Sequence, residues 1–355
     1  MSDESVGLTL ADLEYELPDE LIAQTPAEPR DASRLLVQRR ATGALEDHLF
    51  AELPALLRDG DVLVRNDTRV FPARSFFHRG TGGRIEVLFL CALTGPSPAG
   101  ERWEALLRGR PRREEVLESE AMGSDWPLRC IEPLGDGRWV VESLGPSAVL
   151  ELLADAGVTP LPPYITTPLD DPERYQTTYS RALGSAAAPT AGLHFTPELD
   201  GALAGAGVDV ESVTLHVGLG TFKPLQEGPL QAATLHAESF IVEAAVWARL
   251  CEARRSGRRI VAVGTTSMRV LEHLALLATP EGGGAQLAGE TRLFIRPGFV
   301  FRMVDGLVTN FHLPHTSLLA LVMAYCGVDE TREVYRHAVA QRYRFYSFGD
   351  AMLAL

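Results

Sequence analysis

Five of the nine histidines, His194, His216, His236, His312 and His315, lie in short segments rich in small and polar residues. Imidazole titrates near neutrality, so histidines in such loops suit proton transfer, and they also serve as packed polar groups. His194 closes the run Gly184-Ser185-Ala186-Ala187-Ala188-Pro189-Thr190-Ala191-Gly192-Leu193-His194-Phe195. Thr196 and Pro197 then mark a helix start, as N-cap and first-turn residue. A run of small residues before a helix N-terminus either admits a ligand to the main chain or packs tightly under another element. His216 opens His216-Val217-Gly218-Leu219-Gly220-Thr221-Phe222-Lys223-Pro224, which holds the only lysine of the chain. A lone lysine among arginines suggests an adaptable point charge or a proton donor. His236 and Glu238 form two thirds of a metal site with no clear third ligand, so no metal is expected there.

These residues need elements to hold them. Gly264-Thr265-Thr266-Ser267 joins a buried apolar strand (residues 259–263) to a helix over about 267–277, a geometry whose backbone N–H groups can cradle an anion. Arg269 lies one turn further on and can add a bidentate contact. The stretch lacks both the dinucleotide glycine pattern and the phosphate-loop spacing. Asn310, Phe311 and His312 fall at the end of a strand over 307–311, where open α/β sheets bind ligands. A strand over 209–217, a helix over 242–255 and a helix over 316–325 complete an α/β texture. Between residues 74 and 150, short apolar runs punctuated by Gly, Pro and Asp predict a small β-barrel or sandwich. The expected architecture is a discontinuous α/β domain, residues 1–73 and 151–355, with a β-barrel domain inserted at 74–150.

The chain has 355 residues and a formal net charge of −14. Such an acidic surface repels phosphate unless basic residues cluster. Three clusters are present: Arg108, Arg110, Arg112 and Arg113; Arg254, Arg255, Arg258 and Arg259; and Arg336, Arg342 and Arg344. Each also fits a solvated face. The four cysteines are far apart, which argues against a zinc ribbon and an iron–sulfur cluster and favours buried thiols. The acidic start Met1-Ser2-Asp3-Glu4 lacks the basic opening of a signal peptide, and no apolar run spans a bilayer, so the expected location is the cytoplasm.

Taken in order, several further segments join the motifs above. They are Tyr15-Glu16-Leu17-Pro18, Arg30-Asp31-Ala32-Ser33-Arg34-Leu35, Gly60-Asp61-Val62-Leu63-Val64-Arg65-Asn66-Asp67-Thr68-Arg69-Val70, Gly82-Gly83-Arg84-Ile85-Glu86-Val87-Leu88, and Tyr343-Arg344-Phe345-Tyr346-Ser347-Phe348-Gly349-Asp350. The whole series resembles the S-adenosylmethionine:tRNA ribosyltransferase-isomerases of queuosine biosynthesis, along nearly the full chain. Two places depart from that family's usual pattern: Gly109-Arg110-Pro111-Arg112-Arg113 replaces a Pro-Gly-Lys-Arg-like turn, and His315-Thr316-Ser317 replaces Lys-Ser-Thr.

The resemblance implies transfer and isomerisation of the ribosyl part of S-adenosylmethionine onto the aminomethyl group of preQ1 at the wobble position of a tRNA with a GUN anticodon. Epoxyqueuosine forms, and adenine and methionine leave. S-adenosylmethionine is then a substrate, with no metal or iron–sulfur cofactor, no membrane partner and a monomeric enzyme. The chemistry needs a base beside the sulfonium carbon, an acid for adenine, a deprotonated amine and a hold on methionine's charged end. His194 is the first candidate base and His216 the second, with Lys223 as orienting group or acid and Glu238 near the ribose hydroxyls. Pro189, Thr190, Ala191, Gly192, Gly218, Gly220 and Thr221 line substrate loops. Gly264, Thr265, Thr266 and Arg269 are assigned to methionine's carboxylate or the tRNA backbone, and Asn310 and His312 to the ligand end of their strand. Phe195 or Phe311 either stacks on a base or packs in the core. Tyr343 and Arg344 are candidates for RNA contact, and Asp350 is a carboxylate or a cap. Arg34, Asn66, Asp67 and Arg69 match family motifs without an evident physical role. A non-catalytic tRNA-binding protein of the same fold is the alternative, and a methyltransferase is disfavoured because its Gly-rich loop is missing.

Overall fold

The computed structural model describes residues 8–96, 100–218, 228–277 and 284–355. The chain divides into two units: residues 1–68, 163–182 and 188–355 form one, and residues 69–162 with 183–187 the other. The first holds strands β1 (Arg34–Arg39), β2 (Ala44–Leu49) and β3 (Val62–Asn66). Along β4 (Thr68–Val70) the chain passes into the second unit. That unit contains β5 (Arg74–Arg79), β6 (Arg84–Ala92), β7 (Glu101–Arg108), β8 (Val116–Ser119), β9 (Gly123–Gly135) and β10 (Arg138–Ser143). The return runs along β11 (Ala182–Ser185), after which come β12 (Asp209–Leu215), β13 (Glu238–Glu243), β14 (Ile260–Val263), β15 (Gln286–Thr291), β16 (Gly306–Asn310) and β17 (Ala351–Ala354). The α-helices are α1 (Leu53–Leu56), α2 (Val149–Ala156), α3 (Pro197–Gly205), α4 (Ala244–Arg255), α5 (Gly264–Leu276), α6 (Ser317–Cys326) and α7 (Val328–Ala340).

In the second unit, six antiparallel strands close into a barrel in the order β10-β7-β6-β5-β8-β9. Alternate residues point inward, and Phe77, Phe89, Trp103 and Trp126 fill the interior. Trp126 stacks on Phe89 at 5.7 Å and meets Phe77 edge-on at 5.1 Å. The unit extends beyond the expected 74–150 span because α2 packs against β5 and Val158 pairs with Arg74.

The first unit is built on a nine-stranded sheet, β15-β13-β12-β3-β14-β16-β17-β1-β2. Its centre, β12-β3-β14-β16, is parallel throughout. Leu63, Val261, Val263 and Val308 sit at alternate positions and share one core with Phe50, Leu53, Leu199 and Leu203. Thr196 caps α3 by accepting from the Leu199 N–H at 3.1 Å, with Pro197 in the first turn as expected.

Two elements differ from the expectation. The expected helix over 242–255 begins at Ala244, because Glu238–Glu243 pairs with β15 as a strand. Helix α5 starts at Gly264 and not near residue 267. Gly264 has φ +85°, which lets the chain turn out of β14 straight into a helix.

All four central parallel strands end on one edge. One buried side chain ties three elements together there. Asn66, at the end of β3, donates Nδ2–H to Leu215 O at 2.9 Å and to Thr266 Oγ1 at 3.2 Å. Its Oδ1 accepts from Leu215 N at 3.0 Å and Thr68 N at 3.2 Å. Both donors and both acceptor positions of the amide are thus used. Replacing Asn66 by Leu leaves these backbone groups unpaired and is expected to lower unfolding stability by about 2–4 kcal/mol, measured by urea denaturation. A loss below about 1 kcal/mol would contradict the clamp.

Candidate active site

At the carboxyl edge of the parallel strands, the separated sequence motifs form two groups. The first surrounds β16. Asn310 ends that strand and faces Ala351, the first residue of β17, which in turn pairs with Leu35 at the start of β1. Asp350 accepts from the Arg34 N–H at 3.0 Å and the Arg344 N–H at 2.8 Å, so its carboxylate ties the start of β1 to the segment before β17. The Arg34 guanidinium lies 3.7 Å over the Tyr343 ring, and both side chains reach Asp47. These contacts give Arg34, Tyr343, Arg344 and Asp350 scaffolding work at this edge.

His194 belongs to the same group, at the end of a 3-10 turn (Thr190–His194). The ring is buried against Phe50, with centroids 4.8 Å apart. Nδ1 lies 2.8 Å from Ser33 Oγ, and Nε2 lies 3.1 Å from Asn310 Nδ2. An amide nitrogen only donates, so Nε2 accepts and Nδ1–H donates to Ser33. Burial, with the Arg344 and Arg30 charges beside it, pushes the His194 pKa down to about 3. The ring is therefore neutral and both its nitrogens are engaged. Among the described residues Asn310 Oδ1 is buried without a partner.

The small residues around His194 are used for packing. A Cβ on Gly192 would come within 2.1 Å of Tyr179 Oη and 2.7 Å of Thr177 Cγ2, so the missing side chain makes room for those residues. Ala191 and Phe195 join the hydrophobic core, and Pro189 is buried while Thr190 is partly exposed. The Phe311 ring is fully buried, 5.0 Å from Phe345 and 5.5 Å from Tyr335. Neither phenylalanine offers an open face for stacking on a base. His312 is likewise internal: Nε2 lies 2.8 Å from Thr309 Oγ1, its N–H donates to Tyr335 Oη, and burial alone pushes its pKa to about 3.

The second group surrounds the ends of β3 and β12. Asp67 is buried and accepts from Thr214 Oγ1 at 2.6 Å and Arg181 Nε at 2.5 Å. His216 directly follows β12, and its backbone N–H donates to Ser239 O. Its Nδ1 lies 2.8 Å from Thr68 Oγ1, and its Nε2 has no partner among the described residues. The ring is only partly buried, and that burial lowers its pKa against the opposing pull of Asp67. Glu238 begins β13, accepts from the Gly218 N–H at 3.0 Å and pairs with Arg269. Arg269 also donates Nε–H to Leu293 O at 3.0 Å, while its buried Nη2 has no partner among the described residues. Gly264, Thr265 and Thr266 open α5 beside this group, with Thr266 held by Asn66.

Other candidates lie elsewhere. His236 is exposed, and His315 pairs with Glu14 on the surface. Arg69 falls in the barrel unit. Lys223, Gly220 and Thr221 lie outside the described residues. Of the basic clusters, Arg254, Arg255, Arg258 and Arg259 are paired with Asp305, Glu252, Asp209 and Asp61 respectively. Arg108 and Arg113 face Glu86 and Glu132 at 3.7 and 3.6 Å. Ser33 and Thr68 were not singled out from the sequence as site residues. Both stand inside motifs that were, and only the fold reveals that each touches a histidine.

The family model described as queuosine biosynthesis protein matches residues 10–354. The chain belongs to that family. It is 49% identical to the S-adenosylmethionine:tRNA ribosyltransferase-isomerase of Symbiobacterium thermophilum, over 98% of this chain and 100% of that protein. The like-named protein of Rubrobacter xylanophilus is 47% identical, over 97% of each chain. The crystal structure of a family member, S-adenosylmethionine tRNA ribosyltransferase from Thermotoga maritima, aligns with a TM-score of 0.55 at 37% identity. That alignment covers 97% of this chain and 100% of the other.

The two buried histidines bear on stability. His194 and His312 stay neutral in the fold down to about pH 3, whereas in the unfolded chain each takes a proton below 6.5. Protons then favour the unfolded state between those values, so stability is full above pH 6.5 and falls with acidification. At pH 5 the loss is about 2 kcal/mol for each ring. The expected result is a lower urea midpoint at pH 5 than at pH 7, with a shallower dependence in His312→Asn. An equal midpoint at both pH values would contradict the neutral assignment.

Proposed function

We propose that this chain transfers and isomerises the ribosyl moiety of S-adenosylmethionine onto the aminomethyl group of preQ1 at the wobble position of a GUN-anticodon tRNA. Epoxyqueuosine-tRNA forms, with release of adenine and methionine. Family membership supports the activity. The observation that carries the assignment of the site is His216 at the carboxyl edge of the parallel strands, held through one ring nitrogen with the other unengaged among the described residues.

The reaction begins by removing a proton from the carbon next to the sulfonium. His216 is the better base of the two leading histidines. Its lowered pKa favours the neutral ring at pH 7, and among the described residues no group occupies Nε2. His194 has spent its Nε2 on Asn310 and carries a pKa too low for an effective base. It acts instead as a neutral strut that orients Asn310. Asn310 Oδ1 and Arg269 Nη2, both unpartnered among the described residues, are buried polar atoms beside these strand ends that a substrate would satisfy. Arg269 Nη2 and the first amides of α5 at Gly264 and Thr265 suit the methionine carboxylate. Glu238 holds Arg269 and Gly218 in place, beside the proposed position of the ribose hydroxyls.

Among the described residues no helix is long and apolar enough to cross a membrane. A cytoplasmic monomer is the setting that accompanies this reading, with tRNA and S-adenosylmethionine as its partners.

The test is product analysis with S-adenosylmethionine and an anticodon stem-loop carrying preQ1. Adenine, methionine and epoxyqueuosine are expected. His216→Asn is expected to lower kcat by about 10²-fold or more with stem-loop affinity retained. Release of S-adenosylhomocysteine would indicate methyl transfer, and stem-loop binding without turnover would indicate a non-catalytic protein. Either outcome would overturn the proposal.

A further inference from the structure

We propose that Thr68 is a positioning residue that fixes the tautomer of His216, so that the lone pair sits on Nε2. The inference rests on the reading of His216 as the base. Thr68 Oγ1 is 2.8 Å from His216 Nδ1 and 3.4 Å from Ala182 O. A carbonyl oxygen can only accept, and a threonine hydroxyl has a single proton to give. With that proton directed to Ala182 O, the hydroxyl oxygen accepts from Nδ1–H. In neutral imidazole the other nitrogen, Nε2, is then the unprotonated one. The opposite arrangement, with the hydroxyl donating to Nδ1, would place the proton on Nε2 and remove the base.

The surroundings hold both partners of this hydrogen bond. Asn66 Oδ1 accepts from the Thr68 N–H, and the same amide grips Leu215, the residue before His216, through both its N–H and its carbonyl. Thr68 and His216 are thus fixed to one rigid group. Asp67 does not compete for the ring, since its carboxylate oxygens accept from Thr214 and Arg181. Its negative charge still favours the imidazolium formed when Nε2 takes a proton.

Three variants and one spectrum test this. Thr68→Val keeps the volume and removes the hydroxyl, whereas Thr68→Ser keeps the hydroxyl. Thr68→Val is expected to lower kcat by about tenfold or more with KM for S-adenosylmethionine little changed, and to move the acidic limb of the kcat profile. Thr68→Ser is expected to stay within about twofold of the parent. Nitrogen-15 NMR of the parent protein should show His216 protonated at Nδ1 and unprotonated at Nε2, and Thr68→Val should show a mixture. If His216→Asn turns over normally, the assignment of the base fails. If His216→Asn is inactive while Thr68→Val matches the parent in rate and pH profile, the proposal alone fails. If Thr68→Val does not fold, the parent spectrum decides: a proton on Nε2 overturns the proposal.

Discussion

The site depends on the saturated side-chain amide of Asn66. Parallel strands end with backbone groups that the next strand cannot satisfy, and at a substrate edge those groups must still be paired or exposed to water. Here one fully buried amide serves the end of β12 from both sides, takes the Thr68 N–H and reaches the Thr266 hydroxyl in the first turn of α5. Three elements from distant parts of the chain are fixed to one another through a group with no net charge. A carboxylate at this position would have no donor to offer Leu215 O and would pay a desolvation cost. His216 and Thr68, the residues proposed for the chemistry, are neighbours of the atoms so held.

The two leading histidines show how burial divides labour between identical side chains. His194 is enclosed by Phe50, Ser33 and Asn310 with two guanidinium groups nearby, so protonation is opposed by desolvation and by like charge. His216 is only partly enclosed, has a carboxylate in its vicinity and, among the described residues, keeps one nitrogen unengaged. The same contrast applies to the arginines. Among the described residues Arg269 is buried with a carboxylate on one nitrogen and no partner on another, whereas Arg254, Arg255 and Arg258 are spent on surface pairs. Exposed pairs of the latter kind contribute little and are readily exchanged.

Much of the framework was legible because it follows local rules. Strand patterning located β12, β14 and β16, and the Thr196–Pro197 signal located the start of α3. Asn310 was expected at the end of a strand and is the last residue of β16. What sequence could not convey was long-range packing. Gly192 looks like room for a ligand, but the room belongs to Tyr179, which is thirteen residues upstream and brought back by the fold. Phe311 is indistinguishable in sequence from a stacking platform until the rings of Tyr335 and Phe345 close over it. Strand β13 escaped notice because its partner, β15, comes more than forty residues later. The accessible nitrogen of His216 depends on Thr68, which is 148 residues away in the chain.

The most direct measurement is a crystal structure of the complex with S-adenosylmethionine. The expected result places the ribosyl carbon next to the sulfonium within about 3–3.5 Å of His216 Nε2, the geometry that proton removal needs. The methionine carboxylate should then lie on Arg269 and the first turn of α5. A complex in which that carbon faces His194, or in which the ligand occupies the barrel unit, would contradict the assignment.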